Sequence, residues 1–134
     1  MTKKILIVHT SWYEEYASEM LSICKEILVD FDCVIATAPG ALELAALASH
    51  KIQDTSFAGI LFLGIVIRGE TSHYDLVTKE VFRSISNLSM HNCDLALINN
   101  VICVENKEQL EARLSKNTIN NTKSLIQLIN EKSS

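Results

Sequence analysis

Nine consecutive residues, Gly59 to Ile67 (GILFLGIVI), carry no polar side chain, and the run stops abruptly at Arg68-Gly69-Glu70. Even when extended back to Phe57, this segment is well short of the roughly 20 apolar residues that a bilayer-spanning helix needs. Its branched side chains suit a strand. Because it is continuously apolar rather than alternating, both faces of that strand must be covered, the situation of a strand inside a parallel sheet with helices on either side.

The rest of the chain fits that architecture. KILIV (Lys4 to Val8) and DCVIATA (Asp32 to Ala38) read as two further strands, and CDLALINNVICV (Cys93 to Val104) as a fourth with room for a loop. Between them, Tyr16, Met20, Cys24 and Ile27 recur at helical spacing within Tyr13 to Val29. Pro39-Gly40 marks a sharp entrance to a helix over Ala41 to Ile52. Val77, Val81, Ile85 and Leu88 place an apolar line on a helix from about Ser72 to Ser89. Two more helices are predicted at Glu105 to Ser115 and Thr122 to Glu131, separated by an Asn-rich junction from Asn117 to Thr122. Strands alternating with helices predict an α/β fold, a central parallel sheet with helices on both faces. Residues 1–134, 48% hydrophobic, are expected to form one domain.

Twelve basic against sixteen acidic side chains give a formal charge of −4 with no long block of either sign. This disfavours a general nucleic-acid or membrane surface and leaves small molecules and other proteins as partners. The opening MTKKILIVHT lacks a long apolar helix and a small-residue cleavage site, so the cytoplasm is the expected location. Cys24, Cys33, Cys93 and Cys103 show no close pairing and read as reduced, mostly buried side chains. His50 with Asp54 and His91 with Asp94 do not complete a metal ligand set, and no metal site is expected.

In such a sheet a ligand lies outside the carboxyl ends of the strands. That rule selects HTSWYE, APGALE and RGETSH. Trp12 offers a flat surface for a heterocycle, or a cover for the sheet edge. Glu43 can accept hydrogen bonds from a polyol, or complement a helix dipole. Gly69 permits close backbone approach, and Thr71 and Ser72 supply hydroxyls ahead of a helix whose free amides can receive an anion. Arg68 can organise a carboxylate network, face a neighbouring subunit, or be simply solvated. His73 is placed in the first helical turn, where the helix dipole favours a neutral ring suited to moving protons, while a bound phosphate would push the other way. Arg113 can grip phosphate or be surface charge. Neither a GxGxxG fingerprint nor a P-loop is present.

Taken together, APGALELAALA, LGIVIRGETSHYDLV and ENKEQLEAR occur in the order and form that resemble the 6,7-dimethyl-8-ribityllumazine synthase family, from the first strand to about Arg113. The resemblance implies a flavodoxin-like three-layer sandwich assembled at least as a homopentamer, sometimes a larger shell. It implies condensation of 5-amino-6-(D-ribitylamino)uracil with 3,4-dihydroxy-2-butanone 4-phosphate, without metal or organic cofactor. At matching positions Trp12 stacks on the pyrimidine, and Ala41, Leu42 and Glu43 shape the pyrimidine and ribityl pocket. Ile65, Val66 and Ile67 line the heterocycle, Glu70 and Thr71 occupy the phosphate-side loop, and His73 is the general acid/base. Arg113 is the phosphate-binding arginine contributed across a subunit interface.

The departures from that pattern are specific. Ser11-Trp12-Tyr13 keeps an aromatic but loses a polar side chain, and Asn99 stands where an aromatic ligand contact is expected. Asn117 and Asn121 stand where lysines often occur, with Lys116 and Lys123 as candidates to compensate. Two alternatives to the synthase follow from these changes: a lumazine- or flavin-binding module with weakened catalysis, and a structural shell protein.

Overall fold

The computed structural model describes residues 2–133. Its elements run β1 (Lys4–Thr10), α1 (Glu14–Ile27), β2 (Asp32–Ala38), α2 (Leu44–Lys51), β3 (Gly59–Ile67), α3 (Tyr74–His91), β4 (Ala96–Val104) and α4 (Lys107–Lys132), with short 3-10 turns at Ala41–Glu43 and Arg68–Glu70. The four strands form one sheet in the order β2-β1-β3-β4, every neighbouring pair parallel. This is the parallel sheet with helices on both faces that the apolar run predicts, and the flavodoxin-like three-layer sandwich that the resemblance implies. Between β1 and β3 the strand order changes direction, and the crevice at their carboxyl ends is the place such a fold offers a ligand.

Alternating side chains divide the core into two layers. Ile5, Ile7, Leu61 and Leu63 pack with Met20 and Cys24 of α1 and with Leu110, Leu114, Leu125 and Ile129 of α4. Leu6, Val8, Ile60 and Phe62 pack on the opposite face with Ala45 and Ala48 of α2 and Val81, Ile85 and Leu88 of α3. The two-residue period of a strand thus serves both layers from one continuous apolar sequence. Gly59 is a point of close approach: a Cβ there would lie 2.9 Å from Leu125 Cδ1 and 3.0 Å from the Ala96 carbonyl. Any larger side chain would push α4 off the sheet.

The largest difference from the sequence reading is α4, one continuous helix where two were expected. The six residues from Asn117 to Thr122 are modest helix formers, each costing up to about 0.7 kcal/mol relative to alanine, or about 4 kcal/mol in all. Burying Leu125 and Ile129 returns roughly 3–6 kcal/mol, and only an unbroken helix keeps them in register with Leu110 and Leu114. Three of the polar residues, Thr118, Asn121 and Thr122, are also paired internally. Buried Asn100 on β4 donates from Nδ2 to Thr118 Oγ1 at 3.0 Å and accepts from Asn121 Nδ2 at 2.8 Å. Thr122 donates back to the Thr118 carbonyl at 2.6 Å and lies 3.5 Å from Cys24 Sγ. No proline or glycine follows Gly69, so nothing in the stretch forces a break. The helix starts at Lys107 because Asn106 caps it, its side chain accepting from the Gln109 amide at 2.9 Å, while Gln109 Oε1 accepts from the Glu105 amide.

Smaller corrections share one theme, that ends are set by hydrogen bonds rather than by hydrophobicity. β1 runs on to Thr10, paired with β2 throughout. β4 begins at Ala96, after a turn that leaves Cys93 exposed rather than buried. The helix expected from Ala41 starts as a 3-10 turn and becomes α-helical only at Leu44.

Candidate active site

A cleft of about 490 Å³ opens at the carboxyl ends of β1 and β3. The loop after β1 contributes Trp12 and Tyr13, the turn after β2 contributes Gly40, Ala41, Leu42 and Glu43, and β3 with its following turn contributes Ile65, Val66, Glu70 and Thr71; Val77 of α3 closes the wall. All three segments selected from the sequence therefore meet in one cavity. They meet because β1 is flanked by β2 and β3, which brings three strand ends side by side.

Trp12 is 65% exposed, so its indole is not spent on the core and remains open to a ligand. Gly40 holds the aromatic and acidic parts of the cleft together: a Cβ at this position would meet Glu43 Oε1 at 3.2 Å and Trp12 Nε1 at 3.8 Å. Two carboxylates, Glu43 and Glu70, face the cleft, and no lysine, arginine or histidine is among its lining residues. The lining of this cleft thus supplies an aromatic surface, apolar walls and hydrogen-bond acceptors, but no cation for an anionic ligand.

Tyr13 escaped the sequence reading as a site residue. It adopts φ 56°, ψ 52°, the one left-handed non-glycine conformation among the described residues. Its carbonyl accepts the Ala17 amide at 2.9 Å, which starts α1 without a side-chain cap. Burial, and next the negative charge of Glu70, push its phenol above the ordinary tyrosine range. For a side chain other than glycine this backbone region costs about 1–2 kcal/mol, and such strain concentrates at functional sites. Nothing in a local periodicity marks a left-handed residue; the only available signal was its position beside Trp12. Gly40 was legible as half of a Pro-Gly turn, though not as the spacer between Trp12 and Glu43.

His73 sits differently from the sequence expectation. It is the residue before α3, at φ −126°, ψ 48°, not a member of the first helical turn, and its side chain makes no capping hydrogen bond. It is exposed and lines a neighbouring depression of about 290 Å³ with Arg68, Ser72 and Tyr74. Thr71 lines both this depression and the main cleft, so the two adjoin through one side chain.

Arg68 is engaged rather than freely solvated. Its Nε donates to Glu105 Oε2 at 2.7 Å, its Nη1 lies 3.2 Å from Asp75 Oδ1, and its guanidinium carbon lies 4.1 Å from the centroid of the Tyr74 ring. Desolvation works against its charge, yet the bond to Glu105 and the charge of Asp75 outweigh it and raise its pKa. The carboxylate-network reading of Arg68 is the one the geometry bears out within the chain.

Ile67, Asn99 and Arg113 also lie outside the cleft. Ile67 is buried in the layer facing α1 and α4. Asn99 is half-buried in β4, where its Oδ1 accepts the Val101 amide at 2.8 Å. Arg113 is exposed on α4. Asn117 is half-buried, Asn121 is bound to Asn100, and Lys116 and Lys123 are exposed. Among the described residues no three His, Cys, Asp or Glu side chains gather in a group able to hold a metal. The Nδ1 of His91 is taken up by the Asn87 carbonyl at 2.8 Å.

The model of the 6,7-dimethyl-8-ribityllumazine synthase family matches residues 2–132, nearly the whole chain. The chain belongs to the 6,7-dimethyl-8-ribityllumazine synthase family. It is similar to a 6,7-dimethyl-8-ribityllumazine synthase of Bordetella petrii, 36% identical over 112 residues, covering 80% of this chain and 63% of that protein, less than two thirds of its length. A protein of the same description from Methylobacillus flagellatus is 32% identical over 132 residues, covering 95% of this chain and 88% of the relative. The 6,7-dimethyl-8-ribityllumazine synthase 1 of Rhizobium meliloti is 38% identical over 118 residues, covering 81% and 75%. For this family member the match runs through the Asn-rich stretch of α4, which the sequence resemblance did not reach.

Proposed function

We propose that this chain condenses 5-amino-6-(D-ribitylamino)uracil with 3,4-dihydroxy-2-butanone 4-phosphate to 6,7-dimethyl-8-ribityllumazine, releasing phosphate and water. The observation that carries the reading is the convergence of Trp12, Glu43 and Thr71, from three separate strand ends, in one cleft at the turning point of the sheet. A planar pyrimidine fits against the exposed Trp12 indole, with Ile65, Val66 and Ile67 forming or backing the opposite wall. Ala41 and Leu42 bound the ribityl chain, and Glu43 accepts its hydroxyl hydrogens.

In this reading the uracil's amine attacks the ketone carbonyl. His73 moves the protons that accompany loss of a first water as the imine forms, then loss of phosphate, and loss of a second water as the ribitylamine nitrogen closes the ring on the remaining carbonyl carbon. Its position one residue outside α3 supports the role, because an exposed imidazole free of intrachain bonds can exchange protons with solvent. Thr71, shared by both depressions, and the backbone near Glu70 receive the phosphate end. The lining carries two carboxylates and no cation, so a phosphate needs a positive group from elsewhere. Arg113 of a neighbouring copy fills that role in our reading, with active sites shared between subunits of a pentamer or larger assembly.

Purified protein given both substrates should form the lumazine chromophore and release phosphate in step. Absence of product over a broad range of concentration and pH, from a folded oligomer, sinks the proposal. One observation favours a second reading, a lumazine- or flavin-binding module without efficient condensation. Asn121, at a position where family members often carry lysine, is tied to Asn100 of its own chain and offers no charge. Ligand binding without turnover selects that reading.

A further inference from the structure

We propose that Arg68 is a positioning residue for proton transfer, acting by holding both ends of the loop that carries Thr71 and His73; this rests on the condensation reading above. The loop leaves β3 at Arg68 and enters α3 at Tyr74. Within it, backbone support is slight: the Thr71 amide reaches the Arg68 carbonyl at 3.4 Å, and neither 3-10 turn nor α3 has a side-chain cap here. The segment that must present a hydroxyl and an imidazole is therefore not fixed by its own backbone.

Arg68 supplies what the backbone lacks. From the start of the loop its planar guanidinium lies against the Tyr74 ring and bonds Asp75, both in the first turn of α3 beyond the loop. Its Nε simultaneously reaches Glu105, in the turn between β4 and α4. Gly69 passes that same turn, where a Cβ would lie 3.8 Å from the Glu105 carbonyl. Three directions are thus fixed by one side chain, which a lysine, with a single ammonium and no flat face, cannot reproduce. Asp75 and Glu105 are exposed, where ion pairs add little to global stability, so the consequence of these two bonds falls on the geometry of the loop.

The test is a kinetic cycle on the full-length protein. Arg68→Ala should lower kcat by about 10-fold, since small displacements of a reacting group are costly, while KM for the pyrimidine substrate stays within about two-fold because the Trp12 side is untouched. Arg68→Lys should recover part of the loss. In a His73→Ala background, Arg68→Ala should add less than about two-fold, because the group it positions is gone. Losses that multiply in the double variant, or a raised KM with unchanged kcat, overturn the proposal. Should Arg68→Ala not fold, Arg68→Lys and Glu105→Gln carry the same cycle, with smaller losses expected and the same two overturning outcomes.

Failure of the underlying reaction is recognised separately, as absence of lumazine from the unmodified protein. The clamp is then read by hydrogen exchange: faster exchange confined to residues 69–73 in Arg68→Ala supports it, and unchanged exchange there overturns it.

Discussion

Replacing Thr118 with valine tests why α4 is continuous. Thr118 is fully buried and Asn100 only 2% exposed, and the Thr118 oxygen is the acceptor for Asn100 Nδ2 at 3.0 Å. Valine keeps the shape and removes the acceptor, stranding an amide N–H that no water reaches. Stranding a buried donor costs about 1–3 kcal/mol, and we expect about 2 kcal/mol. With an unfolding entropy of roughly 2.1 cal/mol/K per residue over 134 residues, that corresponds to a Tm lower by about 7 °C. Asn100→Leu alone should cost less, about 1 kcal/mol, because the Thr118 hydroxyl can turn to a carbonyl of the preceding helical turn. The double variant strands nothing: Asn121 is half-buried and can reach water. It should lie within about 1 kcal/mol of the parent, giving a coupling energy of about 2 kcal/mol. Urea unfolding at one fixed protein concentration measures all four corners, since association would otherwise add to apparent stability. A Thr118→Val cost under about 0.5 kcal/mol, or strict additivity, refutes the argument that polar pairing to β4 carries the helix through its Asn-rich stretch.

Other expectations are more direct. His73→Ala should reduce turnover by on the order of 100-fold, in the range of general acid/base catalysis. It should leave assembly intact, because the side chain is exposed and caps nothing; unchanged turnover in a steady-state assay removes His73 from proton transfer. Trp12→Ala should weaken pyrimidine binding by about 3- to 10-fold, the worth of one aromatic stacking contact, with Trp12→Phe retaining most of it, both read by calorimetry; equal affinities would assign the indole to covering the sheet edge. Burial pushes the Cys24 and Cys103 thiols from 9.0 up to about 11. Between these values the unfolded chain has lost thiol protons that the folded chain keeps, so stability is fully present below pH 9 and falls from there to pH 11, by up to about 1.4 kcal/mol per pH unit for each thiol. Urea midpoints against pH should show that decline, and Cys103→Ala should make it shallower; an unchanged slope contradicts the burial argument.

The layered sheet was legible because its cause is local. GILFLGIVI is too short for a membrane, too apolar for an edge, and built of residues that fit a pleated surface covered on both sides. The three ligand-facing segments were legible for a related reason: once strands alternate with helices, the carboxyl ends of the strands are known without coordinates. Trp12, Glu43 and Thr71 were found by that rule alone. Tyr13 was not, because a left-handed backbone in a bulky residue is imposed by what surrounds it, and no propensity announces it.

Helix boundaries show where a local reading stops. A run such as NTINNTK looks like a junction when each residue is weighed by its own propensity. Whether it breaks the helix depends on Asn100, 18 positions away from Thr118, and on Leu125 and Ile129 finding β3. In the same way Arg68 reads as a surface cation until Glu105, 37 positions away, is placed beside it. The sequence by itself determined the strand and helix periodicity, the strand-end segments and the central motif, since these depend on residues a few positions apart. The tertiary structure alone decided the unbroken α4, the place of His73 beside rather than inside the cleft, and the engagement of Arg68. The first and the last of these are pairings between distant parts of the chain, and such pairings exist only once the sheet has brought their partners within hydrogen-bond reach.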